Sequence, residues 1–344
     1  MKAAVYIAPN RVEVRTVPRP RIGPGELLIR SWGVGLCATD LNKIWHGTAA
    51  PGTVLGHELV GWVAEVGEGV TEFQEGERVA AAHHVPCYTC HYCLRGSHSM
   101  CRAFKISSFD PGGFAEYVRL SARHVRHTTF HLPDDLSFEE AIFIEPLSCC
   151  LRGVHRAGVR QDDVIWIIGA GSIGLLLAEA ALLRQAVVVV SDLLDERLDL
   201  ARDLGVHLTA NPRRENLADL IHRVSGGRGA DTVIPTVLTP RLVEEALASL
   251  RDGGTLLLFA GAPDKATMSL DLYRLWHREI NVVSSYSPDP SSLADAYGLI
   301  AQHKVRVGPI VSHQMPLPEI GQGIELVARG EARKVVIRLA EEDL

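Results

Sequence analysis

The sequence lacks runs of like charge, internal repeats and low-complexity segments. Its formal net charge is −6 over 344 residues, so it has no electrostatic footprint for nucleic acid or for an anionic membrane surface. With 47% hydrophobic and 22% charged residues, the composition also excludes a disordered or fibrous chain. We therefore expect a globular protein of about two domains that acts on a small molecule, with neither nucleic acid nor a membrane as partner.

Cysteine is scarce as well, at seven residues, and it is unevenly spaced. Four cysteines lie within 87–101, and the remaining three, Cys37, Cys149 and Cys150, are an odd number, which argues against a disulfide framework. The N-terminal residues reach Pro9 before any long apolar segment, so no signal peptide is predicted. We expect a cytoplasmic protein, in which clustered cysteines are metal ligands or catalytic groups more often than disulfides.

The chain has two regions that differ in composition and in hydrophobic pattern. The first 150 residues contain many glycines and prolines and short alternating runs such as RVEVRTV, which are typical of a β-rich domain. From about residue 160, the stretch DVIWIIGAGSIGLLLAEAALLRQAVVVVSD predicts a strand, a glycine turn, a helix and a second strand, and similar units follow. Their alternation predicts a parallel sheet covered on both faces. After about residue 288, two helical stretches precede a short strand, KVVIRL.

One segment, residues 164–183, is also long and apolar enough for a membrane span, since only Ser172 and Glu179 are clearly polar. A strand, turn and buried helix explain its glycines and the valine-rich strand that follows. A lone span would need flanking basic anchors. We therefore favour the buried helix.

The glycine turn has the spacing G-x-G-x-x-G and comprises Gly169, Gly171, Ser172, Ile173 and Gly174. The first glycine of such a turn permits the tight bend, the second lets the backbone approach a pyrophosphate, and the third allows close helix packing. The N-terminus of the following helix attracts the phosphates. The pattern alone is weak, but its place between a strand and a helix predicts a dinucleotide site.

Asp192 stands at the end of the second strand of this unit. Its carboxylate can accept hydrogen bonds from the ribose hydroxyls and would repel a 2′-phosphate, so NAD is favoured over NADP. Arg197, five residues on, is expected to lie against the adenine, although it could also reach a phosphate.

The four clustered cysteines, Cys87, Cys90, Cys93 and Cys101, have the spacing C-x2-C-x2-C-x7-C. Such a loop can fold four thiolates around a tetrahedral ion, and zinc is the expected metal. An iron–sulfur cluster and a redox-active C-x-x-C pair are the alternatives. Because cysteine fills all four positions, no site is open for substrate, and a structural role is predicted.

Several motifs in order resemble the zinc-containing medium-chain alcohol dehydrogenases over essentially the whole chain. They are GLCATDLNKIWHG, PGTVLGHELVGWVAEVG, the four-cysteine lobe, DPGGFAEYV, EPL, GAGSIG and KVVIRL. The GHE and EPL signatures are most similar to the sorbitol and threonine dehydrogenase branch. The resemblance implies an α/β protein in which a β-rich GroES-like catalytic domain is combined with a Rossmann-type doubly wound parallel-sheet domain.

The domain limits that the resemblance implies are residues 1–146 and 288–344 for the catalytic domain, with the zinc lobe at 83–101, and 147–287 for the NAD-binding domain. Relatives in this family are usually dimers or tetramers, so a homodimer or homotetramer is expected. One catalytic and one structural zinc are expected per chain, together with NAD.

A catalytic zinc needs three protein ligands and an open position. The resemblance carries metal-binding roles onto Cys37 and His57, makes Glu58 a direct or alternating ligand, and makes Thr39 the hydroxyl that accepts the proton of the alcohol. In EPLSCCLRG, Pro146 fits the first position of a helix, with Glu145 at its N-cap. We favour Glu145 as the remaining group at the metal, as in the polyol branch, over Cys149, as in simple alcohol dehydrogenases.

Two features depart from the family pattern. Asn42 stands where many relatives have a histidine that ends the proton relay, and an amide cannot take up a proton near neutral pH. Water or His46 could replace that histidine. VIPTVLTP stands where relatives often have a glycine-containing E-x-T-G stretch, so the contacts of that loop are open.

The leading hypothesis is an NAD-dependent zinc dehydrogenase that acts on a secondary alcohol, or the matching ketone, of a polyol, sugar or cyclitol. Oxidation of threonine at its 3-position and oxidation of a simple alcohol are the enzymatic alternatives. A zinc-stapled dinucleotide-binding sensor is the non-enzymatic one. It would need only the cysteine lobe and the glycine turn, so the additional presence of Cys37, Thr39, His57, Glu58 and Glu145 argues against it.

Overall fold

The computed structural model of the protein describes residues 1–261 and 267–340. The chain divides into two compact units, one formed by Met1–Pro146 with Asp289–Leu344 and the other by Leu147–Pro288. Residues 262–266 of the predicted NAD-binding domain and 341–344 of the predicted catalytic domain lie outside the described residues. Among the described residues, no helix combines the length and the apolar character that crossing a membrane requires.

The helices and strands follow one another along the chain. As far as residue 156 they are β1 (Lys2–Ala8), β2 (Arg11–Thr16), β3 (Leu27–Gly35), α1 (Ala38–His46), β4 (Glu58–Val66), β5 (Arg78–Ala82), α2 (Arg102–Ile106), β6 (Tyr117–Leu120), α3 (Ala122–Thr128), β7 (Thr129–His131), α4 (Phe138–Ala141) and α5 (Ile144–Arg156). The second group is β8 (Val164–Ile168), α6 (Ser172–Leu182), β9 (Val187–Ser191), α7 (Asp195–Asp203), β10 (Leu208–Ala210), α8 (Leu217–Val224), β11 (Ala230–Pro235), α9 (Pro240–Ser249), β12 (Leu250–Leu258), α10 (Leu272–His277) and β13 (Asn281–Ser284). The last elements are α11 (Pro290–Ala301), β14 (Val311–Pro316), α12 (Ile320–Ala328) and β15 (Lys334–Arg338).

The second unit contains a six-stranded sheet in the order β10-β9-β8-β11-β12-β13, and every neighbouring pair is parallel. This confirms the predicted parallel sheet. The apolar stretch 164–183 is the buried strand β8, the glycine turn and helix α6, so it is not a membrane span. The strand order reverses between β8 and β11, and such a switch point is where doubly wound sheets bind ligands.

One local prediction was wrong. Helix α5 begins at Ile144, so Glu145 is inside its first turn instead of at the N-cap, and Pro146 is not its first residue. Proline is tolerated here because the N–H groups of the first helical turn have no partner within the helix.

The first unit is built on a seven-stranded sheet in the order β14-β15-β3-β4-β5-β7, with β6 also paired to β3. The apolar faces of these strands pack with β1 and α1 into one core. β3 lies between β15 and β4, and it pairs Gly35 with Val336 on one side and with Glu58 on the other. The last described strand, β15, therefore lies one strand away from β4, on the other side of β3.

A close approach at Gly35 depends on the absence of a side chain. A Cβ atom at this position would lie 1.8 Å from Oε2 of Glu58 and 3.1 Å from Cε of Lys334. Both side chains are almost fully buried, with exposed fractions of 1% and 3%, so neither can move into open space. Glycine is required here because of this contact across the sheet.

We predict that Gly35→Ala lowers the free energy of unfolding by roughly 1–3 kcal/mol, the usual cost of overpacking a core. Chemical denaturation measures the change. Gly321→Ala is the matched control, because a Cβ atom at that position of α12 has no neighbour within 4 Å. A Gly35→Ala variant as stable as the control would contradict the packing described above.

Candidate metal centres and nucleotide turn

The four-cysteine lobe is a short irregular loop between β5 and α2. It includes two 3₁₀ turns, Cys93–Arg95 and His98–Met100, and Cys101 caps the N-terminus of α2. The loop has almost no apolar core of its own apart from Phe104, which packs against the cysteines. Its conformation therefore depends on what the cysteines bind.

The sulfur positions fit a tetrahedral zinc ion. Sγ of Cys93 lies 3.9 Å from Sγ of Cys87 and 3.6 Å from Sγ of Cys90, and all four sulfurs lie within 4.8 Å of one another. Zinc–sulfur bonds of about 2.3 Å in a tetrahedron separate the thiolates by about 3.8 Å. A disulfide would need about 2.05 Å, and all seven cysteines are free.

The surroundings of the thiols are also those of metal ligands. Hydrogen bonds from the backbone and hydroxyl of Thr89 lower the pKa of Cys87 to about 5, which favours the thiolate. Burial raises the pKa of Cys93 to about 12, so this thiol ionises readily only next to a cation.

A second group of ligand atoms belongs to Cys37, His57 and Glu58, which lie within 4.8 Å of one another. Cys37 precedes α1, and His57 and Glu58 stand at the start of β4. Both oxygens of Glu58 are buried and lack a hydrogen bond from the described residues, although Oε2 forms an ion pair with Nζ of Lys334. A buried carboxylate with unused lone pairs next to a thiol and an imidazole fits a cation.

Asp40 connects Cys37, which precedes α1, with His57, which directly precedes β4. Its carboxylate accepts hydrogen bonds from the backbone N–H of Cys37 and of Gly56, both at 3.2 Å, and it lies 3.3 Å from Nδ1 of His57. Burial opposes ionisation of Asp40, but the charge of His57 and these hydrogen bonds outweigh it and lower the pKa. With Nδ1 held by Asp40, Nε2 of His57 is left for a metal.

Lys334 balances the charge of Glu58. Burial alone would lower the pKa of this lysine, but the negative charges of Glu58, Cys37 and Glu145 raise it above the ordinary value. The lysine therefore stays protonated while 3% exposed. Neither Asp40 nor Lys334 was found from the sequence. The acid three residues after Cys37 is the expected position of a helix-capping carboxylate and could have identified Asp40, whereas nothing in KVVIRL marks Lys334.

The other residues that the sequence suggested for this centre are Glu145, Thr39, Asn42 and His46. Glu145 is 7% exposed and is not among the three residues whose ligand atoms lie within 4.8 Å of one another, but its charge acts on Lys334. Thr39 and Asn42 are exposed, one helical turn apart on α1, and His46 is exposed at the end of the same helix.

Three histidines lie close to one another: His83 and His84, which follow β5, and His124 in α3. Nδ1 of His84 hydrogen-bonds to the carbonyl of Ser107 at 2.9 Å, and the ring of His124 bonds to Ser121 Oγ and to the carbonyl of His83, both at 2.8 Å. The ring of His83 lies 4.8 Å from that of His57, centroid to centroid. Nδ1 of His83 is buried and has no hydrogen-bond partner in the part of the chain that the structure describes.

In the glycine turn of the second unit, each glycine is explained by a different feature of its surroundings. Gly169 has a φ of 104°, and a Cβ atom at Gly174 would lie 1.8 Å from the carbonyl oxygen of Gly169. For a Cβ atom at Gly171, the nearest atom from elsewhere in the described residues would be Nη1 of Arg197, 4.0 Å away. Oγ of Ser172, at the N-terminus of α6, is buried, and no described residue forms a hydrogen bond with it. Space above Gly171 and an unpaired hydroxyl at a helix N-terminus fit a phosphate group.

Asp192 follows β9 and accepts hydrogen bonds from the backbone N–H of Ala170 at 2.7 Å and of Leu194 at 2.9 Å. Nη1 of Arg197 lies 3.8 Å from its carboxylate. The sequence did not define the contacts of the loop after β11. In the structure this loop packs on the glycine turn, where Oγ1 of Thr236 donates a hydrogen bond to the carbonyl of Ile168 at 2.9 Å. Sequence reasoning missed Thr236, because a loop threonine belongs to no pattern.

Two family models match the chain. The model described as "Alcohol dehydrogenase GroES-like domain" matches residues 23–134, and the one described as "Zinc-binding dehydrogenase" matches residues 172–302. The first range contains both groups of metal-ligand candidates, and the second begins at the N-terminus of α6.

Individual relatives match nearly the whole chain. The sorbitol dehydrogenase of Gallus gallus is 31% identical, over 97% of this chain and 94% of its own. The erythritol/L-threitol dehydrogenase of Mycolicibacterium smegmatis is also 31% identical, over 96% and 95%. A protein assigned as a zinc-binding dehydrogenase from Sinorhizobium meliloti, solved with NADP, superimposes with a TM-score of 0.88 at 28% identity, over 98% of each chain. The chain belongs to the zinc-containing medium-chain alcohol dehydrogenase family.

Proposed function

We propose that this enzyme transfers a hydride between NAD and a secondary alcohol or ketone of a polyol, sugar or cyclitol. The observation that carries the proposal is the buried group of Cys37, His57 and Glu58, which offers one thiolate, one imidazole and one carboxylate to a single ion. Relatives named for sorbitol and for erythritol and threitol support the substrate class. A sensor without turnover would have no use for this second group of ligands.

The centre would be held by Cys37 and His57, with Glu58 as a direct or alternating ligand. Bound there, zinc supplies a Lewis acid that polarises a carbonyl or acidifies an alcohol. Asp40 orients His57 and makes it a more basic ligand. Lys334 holds Glu58 by an ion pair and so limits how far that carboxylate moves.

Thr39 is proposed to take the proton of the alcohol through its hydroxyl. The residue one turn further along α1, Asn42, cannot accept that proton. Thr39 is exposed, so water can receive the proton directly, and His46 lies near the end of the same helix as an alternative acceptor.

Glu145 is proposed as the outer group of the centre, in preference to Cys149. Its position beyond the 4.8 Å group of ligand atoms, with a charge that still acts on Lys334, suits a carboxylate that acts through a water molecule. Such an arrangement leaves room for a substrate rich in hydroxyl groups. Full activity of Glu145→Gln together with loss of the catalytic metal in Cys149→Ala would contradict it.

NAD is the proposed cofactor, although one relative was solved with NADP. The carboxylate of Asp192 is fixed by two backbone N–H groups at the end of β9, and Arg197 lies against it. A 2′-phosphate would meet this negative charge.

The proposed function is tested with a panel of polyols, sugars, threonine and simple alcohols, each with NAD and with NADP, scored by the formation of the reduced cofactor. We expect the highest kcat/KM for a polyol or sugar with NAD. Highest activity with threonine or with a simple alcohol would replace the substrate class, and equal kcat/KM with NADP would contradict the cofactor.

We predict two zinc ions per chain, because the four-cysteine lobe and the Cys37 centre share no residue. Cys93→Ser should lose one zinc and lower the melting temperature, since the lobe has little core of its own. Cys37→Ser should lose the other zinc and all turnover while the fold persists. Elemental analysis of each variant measures this, with the buried Cys150→Ala as control. One zinc per chain in the unaltered protein would refute one of the two sites.

Two glycine substitutions should separate cofactor binding from folding. Gly171→Ala should keep the melting temperature, because its Cβ would have no described neighbour closer than Nη1 of Arg197 at 4.0 Å. The same methyl group should weaken NAD binding roughly tenfold, or about 1.4 kcal/mol, by steric contact with the cofactor. Gly174→Ala should lower the free energy of unfolding by roughly 1–3 kcal/mol, because its Cβ meets the backbone. Calorimetric NAD titration and thermal unfolding measure the two effects. Unchanged NAD affinity in Gly171→Ala would argue against the proposed pyrophosphate site.

A second copy of the chain is proposed as the partner of the second unit. Helix α10 carries Leu272, Tyr273 and Trp276, which are 74%, 68% and 74% exposed, and it buries no residue. β13 is an edge strand: among the described strands it pairs with β12 alone. Exposed apolar side chains on the helix that precedes this edge strand, together with the unpaired edge itself, suit pairing with an identical surface across a two-fold axis.

We predict that Trp276→Glu shifts the protein to smaller oligomers, because a charge would be buried in that contact. Light scattering coupled to size exclusion measures the mass. Ile106→Glu is the matched control, since Ile106 is also 74% exposed but lies on α2 in the first unit. An unaltered protein that is already monomeric, or an unchanged mass in Trp276→Glu, would exclude this surface as the interface.

A further inference from the structure

We propose that His83 recognises a second hydroxyl group of the substrate, next to the carbon that is oxidised, and so makes the enzyme prefer diols and polyols to simple alcohols. This inference rests on the proposed function of the Cys37 centre and specifies its substrate further. It starts from a polar group in the first unit that the fold does not use.

His83 is the exception among three neighbouring histidines. The rings of His84 and His124 both have hydrogen-bond partners, at 2.9 Å and 2.8 Å, and so have structural roles. Neither ring nitrogen of His83 has a hydrogen bond to another described residue, and its Nδ1 is buried. A buried polar atom without a partner is costly, so such atoms in native proteins usually meet a group from outside the chain.

Packing alone does not require an imidazole here. The ring of His83 is tilted by 35° against that of His84, with centroids 3.7 Å apart, and meets the ring of Phe109 edge to face at 6.1 Å. A phenyl ring would make the same contacts without leaving a nitrogen unpaired. Histidine at this position therefore points to a ligand.

The position of the ring indicates which atom of a bound substrate it would contact. The ring of His83 is 4.8 Å from that of His57, which is one of the proposed metal ligands. Its backbone is fixed, because its carbonyl accepts a hydrogen bond from His124. A substrate whose reacting oxygen faces the Cys37 centre brings its neighbouring hydroxyl towards His83, and an imidazole can donate to or accept from that hydroxyl.

The test uses two alcohols that differ in one hydroxyl, butane-2,3-diol and butan-2-ol. Their kcat/KM values are compared in the holoenzyme, with competitive inhibition constants where turnover is slow. We expect the unaltered enzyme to favour the diol, and His83→Phe to reduce this preference roughly tenfold or more, because a site built for a hydroxyl discriminates against its absence. The decrease in kcat/KM should be larger for the diol than for butan-2-ol.

Two further variants keep the test decisive. His131→Phe makes the same change on β7, where the ring is half exposed and stacked on Phe73, and it should alter neither value. His83→Leu repeats the test if the phenyl ring does not fit. An unaltered enzyme without preference for the diol, or an unchanged preference in a folded His83 variant, would overturn the role of His83. Absence of turnover with every member of the substrate panel would instead refute the proposed function.

Discussion

The carboxylate of Asp40 holds the candidate catalytic centre together. It accepts the backbone N–H of Cys37, which orients the first turn of α1, and the N–H of Gly56, which fixes the loop before β4. It also contacts Nδ1 of His57. One buried side chain thus sets the separation of a thiol and an imidazole that belong to different elements. Because Cys37, Gly56 and His57 all belong to the first unit, the separation of this thiol and this imidazole is set within that unit.

The nucleotide turn depends on close packing instead of charge. Gly169 and Gly174 allow the strand, the turn and α6 to approach within contact distances that any side chain would prevent. Gly171 is not needed for that packing, and its surroundings are open. A single short motif therefore contains residues required for folding and a residue whose constraint comes from the ligand. Thr236, in the loop after β11, binds the carbonyl of Ile168 just before the turn.

Sequence reasoning predicted much of the fold, because its signals are local. The alternation of apolar strands and helices predicted the parallel sheet, and the spacing of the four cysteines predicted a group of converging thiols. Asp40 was missed although its place three residues after Cys37 is that of a helix-capping carboxylate. Lys334, His83 and Thr236 were missed for a common physical reason. Lys334 and Thr236 contact partners far away in the sequence, and His83 is marked by the lack of a partner among the described residues. Neither situation leaves a periodic pattern in the sequence. The start of α5 was misjudged because proline is compatible with several positions of a first helical turn.

The ion pair between Glu58 and Lys334 also has a consequence for the order of folding during synthesis. β4 leaves the ribosome early, but the cation that compensates its buried carboxylate belongs to β15, the last strand of the sequence. Until β15 is inserted between β14 and β3, Glu58 would be a buried charge without a counterion, which strongly disfavours burial. The N-terminal part of the first unit therefore cannot complete its core while the second unit is being translated. The second unit, whose sheet is drawn from one continuous segment, can fold first.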